Sequence, residues 1–133
     1  NPGKNDLVVK GATSIGTASA HSGYRLAVAG KAIATEMKVQ QVANWPDYVF
    51  KPAYKLMPLQ EVEQFIKTKG HLPEIAPAKQ VAREGLELGV NQAALLRKIE
   101  ELTLYIIDQN KELKKQNKKI AALEEKIDRM ENR

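Results

Sequence analysis

Apolar side chains recur at alternating spacings of four and three from Leu95 to Met130. Ile99, Ile106, Leu113, Ile120 and Ile127 take position a of a heptad, and Leu95, Leu102, Gln109, Gln116, Leu123 and Met130 take position d. A straight helix repeats every 3.6 residues, so a strict 3.5-residue repeat predicts a left-handed supercoil around other helices. The pattern occurs once in the chain, so the partner helices must come from other copies. At a rise of 1.5 Å per residue the coil is roughly 54 Å long. The residues from 91 to 133 are therefore read as an oligomerisation helix.

The flanks of this stripe change along its length. Leu96 at e, Leu104 at f, Tyr105 at g and Ile107 at b are apolar outside the seam. A helix apolar nearly all round is covered on its outer face as well, so the first half is expected to be clad by the rest of the protein. Beyond residue 108 the outer positions are almost all polar or charged, which describes a bare stalk. Ile at a with Leu at d favours two parallel strands. The polar d layers Gln109 and Gln116 instead fix register, and a three-fold seam would let their amides bond to each other. The g-to-e pairs Lys119 with Glu124 and Lys126 with Glu131 favour parallel chains, at about 0.3 kcal/mol each. The coil alone leaves dimer and trimer both open.

Upstream, the period shortens. In residues 1–42 the run LVVKGATSIGT reads as extended. Tyr24, Leu26 and Val28 then alternate with Arg25 and Ala27, Gly30-Lys31 suits a turn, and Ile33, Thr35, Met37 and Val39 alternate again. This pattern predicts a hairpin. Its side chains are small, and two short strands are marginal alone, so the region is expected to be intertwined with its copies. Residues 43–90 predict a small knob. Trp45, Tyr48, Phe50 and Tyr54 would be its aromatic nucleus. Pro58 at the start and Gly70 at the stop bracket a helix over 59–69 whose apolar face is Leu59, Val62, Phe65 and Ile66. Pro73 and Pro77 make HLPEIAP extended, AKQVARE is a second helix ending at Gly85, and Leu86, Leu88 and Val90 alternate before Asn91 caps the long helix. The fold class is thus α+β: a short intertwined β region, a helical knob and a long parallel coiled coil.

Composition removes several function classes. The chain has 133 residues, 43% hydrophobic but only 5% aromatic, a net charge of +5 and no cysteine. No apolar run is long enough for a membrane span, and no disulfide framework or thiolate metal site exists. The opening NPGKND does not read as a signal peptide and begins as though cut from something longer. The local excess of Lys111, Lys114, Lys115, Lys118 and Lys119 falls at f, b, c, f and g, a solvated coil exterior. With no aromatic among them, nucleic-acid binding is disfavoured. His21 and His71 lack acidic neighbours at ligand spacing. Gly30-Lys31 lacks the rest of a phosphate loop, and Ser14, Ser19 and Ser22 lack a triad context. Asp47 is explained by turn chemistry. No catalytic, metal or cofactor residue is therefore expected.

The runs SIGT, YRLAVAGKAIATEMKV, NWPDYVF, YKLMPLQEVEQFI, GHLPEIAPAKQV and LLRKIEELTLYII resemble the C-terminal module of tail-fibre and adhesin-like surface proteins of bacteria and their phages. The resemblance covers residues 14–107 and is most specific from GHLPEI to EELTLYII. The layout is also similar to the intramolecular chaperone domain of phage tail spikes and endosialidases, in which a β region leads through a helical knob into a trimeric coil. This implies three strands, with Leu95, Ile99, Leu102, Ile106, Gln109, Leu113, Gln116, Ile120, Leu123, Ile127 and Met130 as the oligomerisation residues. It also implies help in folding an upstream fibre region of the same polypeptide. The implied setting is extracellular, in a phage virion tail fibre or a bacterial surface or injection-apparatus fibre. That family often releases itself with a Ser, then an Asp and shortly a Lys. Here Asn44 and Trp45 precede Asp47 and no Ser is present, so self-cleavage is not carried over. Two other readings remain: a receptor-binding tip in which Trp45, Tyr48 and Tyr54 contact surface glycans, and a basic coiled coil that binds nucleic acid.

Overall fold

The computed structural model of the chain describes residues 7–18, 22–40 and 45–132. Ser19, His21, Asn44 and the last two residues of the expected β region, 41 and 42, lie outside the described residues. The chain divides into two compact units, Asn1–Lys38 and Val39–Arg133. It is mostly helical, with one small two-stranded sheet.

In the first unit, strand β1 (Thr13–Ile15) pairs with β2 (Leu26–Val28). The pairing is parallel, with Thr13 opposite Leu26 and Ile15 opposite Val28. The amides of Thr13 and Ala29 donate to the carbonyls of Arg25 and Ile15, each at 2.8 Å. This corrects the expected hairpin, because residues 33–39 form no strand. The parallel register brings Ile15 against Val28 and Thr13 against Leu26, and such β-branched and apolar cross-strand pairs stabilise a ladder more than alanines do. Ile33 is left fully exposed, and Met37 and Val39 are exposed as well. Gly16 closes β1 with φ +73°, and a Cβ there would lie 3.1 Å from the carbonyl oxygen of Ala29.

The second unit begins with a 3₁₀ turn, Pro46–Phe50. Its three-residue period puts Pro46 and Val49 on one face, and these are the fully buried side chains of the described residues. The same period turns Phe50 outward with Asp47. The expected aromatic nucleus is therefore corrected: Trp45 and Phe50 are exposed, and Tyr48 and Tyr54 are half-buried.

Helix α1 (Leu59–Lys69) follows Pro58 and ends at Gly70, whose φ of 74° is the left-handed conformation that lets its amide bond back to Ile66. Helix α2 (Ala78–Glu84) runs from Pro77 to Gly85. Both match the Pro and Gly punctuation. Between them HLPEIAP is not simply extended. Residues 72–75 form a turn closed by the Ile75 amide on the Leu72 carbonyl at 3.3 Å. Pro73 holds its second position, and Glu74 sits at φ 62°, where glycine is usual.

Helix α3 (Leu88–Glu131) has 44 residues and is about 66 Å long. It starts earlier than expected. Leu88 and Val90 are helical, and the Asn91 amide already donates to Glu87 at 2.9 Å, so Asn91 is within the helix rather than its cap.

Gly16→Ala is expected to weaken the β1–β2 pair by about 1–2 kcal/mol, the cost of holding a side chain in the left-handed region. Amide hydrogen exchange at Ala29 checks this. The Ala29 exchange rate should rise, while rates within α3 stay unchanged.

Candidate functional site

The two faces of α3 have opposite fates. Positions b, c and f of its first half carry Arg97, Glu100, Glu101 and Leu104. These are buried or half-buried, with Glu100 at 7% and Glu101 at 9% exposure. The apolar seam on the other side is bare: Leu95, Ile99, Leu102 and Ile106 are 44–62% exposed. Leu113, Ile120, Leu123, Ile127 and Met130 continue the exposed stripe, with the Gln109 and Gln116 layers among them.

Polar anchors hold the cover on the charged face. The Tyr54 hydroxyl donates to Glu101 Oε1 at 2.5 Å, and Lys98 Nζ donates to Oε2 at 2.7 Å. Burial and this donated bond push the Tyr54 hydroxyl far above the usual tyrosine range. Glu74, presented by its left-handed turn, pairs with Arg97 at 2.9 Å and with Lys98 at 3.5 Å. Arg97 also reaches the Tyr48 hydroxyl at 3.5 Å. The rings of Tyr48 and Tyr54 lie 5.8 Å apart, tilted by 47°. Lower down, the Tyr105 hydroxyl donates to the carbonyl of Met57 at 2.5 Å. Apart from the Lys98–Glu101 pair, which lies within α3, each of these bonds to the helix ties one segment of the knob to one of its turns.

Glu100 is the exception. Its Oε2 is buried with no hydrogen-bond partner among the described residues. Burial, and then the nearby Asp47 carboxylate, raise its pKa above the ordinary carboxylate range.

The expected cladding holds in part. Leu96, Leu104 and Tyr105 are half-buried. Ile107 is 44% exposed, because the cover's lowest anchor is Tyr105. The source of the cover also differs from expectation. It comes from the 3₁₀ turn, which packs on α3, and from residues near Tyr54, Met57 and Glu74. Leu59 and Ile66 of α1 stay exposed, and Phe65 packs edge-on against His71.

Trp45, Tyr48 and Tyr54 do not form one exposed platform. Trp45 is exposed, while the other two engage their hydroxyls with α3. Lys111 and Lys115 pair with Asp108 and Glu112, and Lys114, Lys118 and Lys119 face solvent. Among the described residues no group of metal-binding side chains occurs, and no helix is long and apolar enough to cross a membrane. The sequence reading missed Glu74, Arg97, Lys98, Glu100 and Glu101. The signal was present: these α3 charges sit in the half of the helix expected to be clad, so they needed partners. No family model matches the chain, and neither a curated protein nor a solved structure does.

Glu100 yields a pH prediction. Its raised pKa means the folded chain holds this proton more tightly than the unfolded chain. Its contribution to stability is therefore fullest below the ordinary carboxylate pKa and is lost as pH rises through the raised value. Glu100→Gln removes the buried charge, so it should raise the thermal midpoint at neutral pH. At pH about 4, where the native group holds its proton, the gain should shrink towards zero. Melting curves at the two pH values, at one protein concentration, check this.

Proposed function

We propose that the chain is a structural trimerisation and folding-registration module at the C-terminus of a fibre or surface adhesin, with no catalytic role. One observation carries this reading: α3 covers its charged outer face and leaves its heptad seam bare. A helix serving only its own chain would bury the apolar stripe and expose the charges. The seam residues, from Leu95 to Met130, are then the contact with two identical helices. The Gln109 and Gln116 layers and the Lys119–Glu124 and Lys126–Glu131 pairs set register and parallel direction. The coil raises the local concentration of the other chains, so pairing of the low-hydrophobicity upstream segments becomes nearly intramolecular. The extracellular fibre setting, in a phage virion or on a bacterial surface, belongs to this reading.

The exposed Trp45 and Phe50 favour a second reading, a fibre tip that contacts surface glycans through these rings. In that case Trp45→Ala would abolish retention on a glycan array without changing the assembly's mass.

Sedimentation equilibrium tests the first reading and should give three times the 14.8 kDa chain mass. A mass of one or two chains, or antiparallel helices, would overturn it. Leu102→Asp should dissociate the assembly, because it buries an unpaired carboxylate in every chain at once. Leu113→Ala should only weaken it, by at most ~2–5 kcal/mol per buried site.

A further inference from the structure

A groove of about 310 Å³ runs beside the seam, between α1 and α3. Leu59 and Val62 of α1, Met57, and Leu102 and Tyr105 of α3 form its apolar walls. Leu102 belongs both to the groove and to the seam, so the two surfaces are continuous. Lys98 and Tyr105 place the groove on the g flank of the helix. The opposite flank, at e and b, carries Leu96, Thr103 and Ile107. Ile107 lies outside the seam, yet it is left 44% exposed.

The geometry of a parallel coil brings these two flanks together. A residue at g meets the e residue five positions later on the next helix. The level of Lys98 and Tyr105 therefore faces Thr103 and Asn110 of the neighbouring copy. Ile107 of that copy lies between these two, one step outward on the same flank. Helical side chains lean toward the N-terminus, which carries the Ile107 side chain toward the level of the groove. In an antiparallel coil g flanks would meet g flanks, and the groove would find no such residue.

We propose that the groove receives Thr103 and Ile107 of the neighbouring copy, so that each knob grips both its own coil and the next one. This rests on the parallel coil of the proposed function and adds a partner surface outside the seam. The groove then acts as a lock on chain direction and register, separate from the glutamine layers.

The chain has no cysteine, so paired labels are unambiguous. Full-length Val62→Cys and Ile107→Cys chains, one of them tagged, are refolded together and treated with a short bis-maleimide. Cross-linked pairs containing one chain of each kind should exceed those from either variant alone by about tenfold, the effect of holding the two thiols together. If one variant fails to assemble, Leu59→Cys with Thr103→Cys replaces the pair and reads the same way. A three-chain mass without the mixed cross-link would overturn the groove proposal, leaving it free for a small apolar ligand, and would spare the proposed function. A single-chain mass for the unmodified protein would overturn both.

Discussion

Burial of charge on α3 constrains everything around it. Covering Glu100 and Glu101 removes two carboxylates from water, which is unfavourable unless hydrogen bonds replace hydration. Tyr54 and Lys98 do this for Glu101. The knob is thereby attached by directional bonds at fixed heights: Glu74 at Arg97 and Lys98, Tyr54 at Glu101, and Met57 at Tyr105. Apolar attachment would have been less selective. An apolar knob can slide along an apolar stripe, and it would compete with other helices for the seam. A knob that recognises charges on the outer face leaves the seam free. Glu74 shows how strongly this arrangement is specified. Its left-handed backbone is unfavourable for a side chain with a Cβ, yet that turn delivers its carboxylate to two cations.

The same division governs stability. Among the described residues the fully buried side chains are those of Pro46 and Val49, so hydrophobic burial within the described part of the second unit is slight. The distal half of α3 is held by pairs such as Lys111–Asp108, Lys115–Glu112 and Arg129–Glu125. Such exposed pairs, screened by solvent, add little to the stability of a helix. A helix of this kind is marginal by itself, and most helical stability in proteins comes from packing an apolar face. In the proposed assembly the seam supplies that packing, so folding and association become one event and the thermal midpoint depends on protein concentration.

The sequence was most legible where backbone chemistry leaves few options. Pro58 and Gly70 bracket α1, and Pro77 and Gly85 bracket α2, because proline cannot continue an upstream helix and glycine tolerates the left-handed exit. The heptad of α3 is equally plain. Legibility failed where several residues suited one role. Asn91 is a good cap by type, but Leu88 and Val90 extend the helical ladder past it. Trp45 and Phe50 are hydrophobic enough for a core, but the three-residue period of the 3₁₀ turn gives the interior to Pro46 and Val49. The hairpin failed for a related reason: Leu26 and Val28 had two candidate partners, and alternation does not say which wins. The charge network at Glu74, Arg97 and Glu101 joins residues far apart in sequence, so no local pattern marks it, although cladding of the helix implied that something must satisfy those groups.

The β1–β2 pair leads to a similar argument by a separate route. Parallel sheets ordinarily have both faces covered. Here Ile15, Leu26 and Val28 remain exposed on a pair of three-residue strands, too small to persist unsupported. Leu7, Val8, Val9, Ile33 and Met37 nearby are exposed as well. Within each unit, then, the apolar surface exceeds what that unit's own residues cover. In the proposed assembly, identical copies in parallel register would bring the like surfaces of each unit to the same height. Under the proposed function, registration falls to the coil: the small side chains of the β residues specify pairing weakly, whereas the heptad and its glutamine layers would make a slip costly.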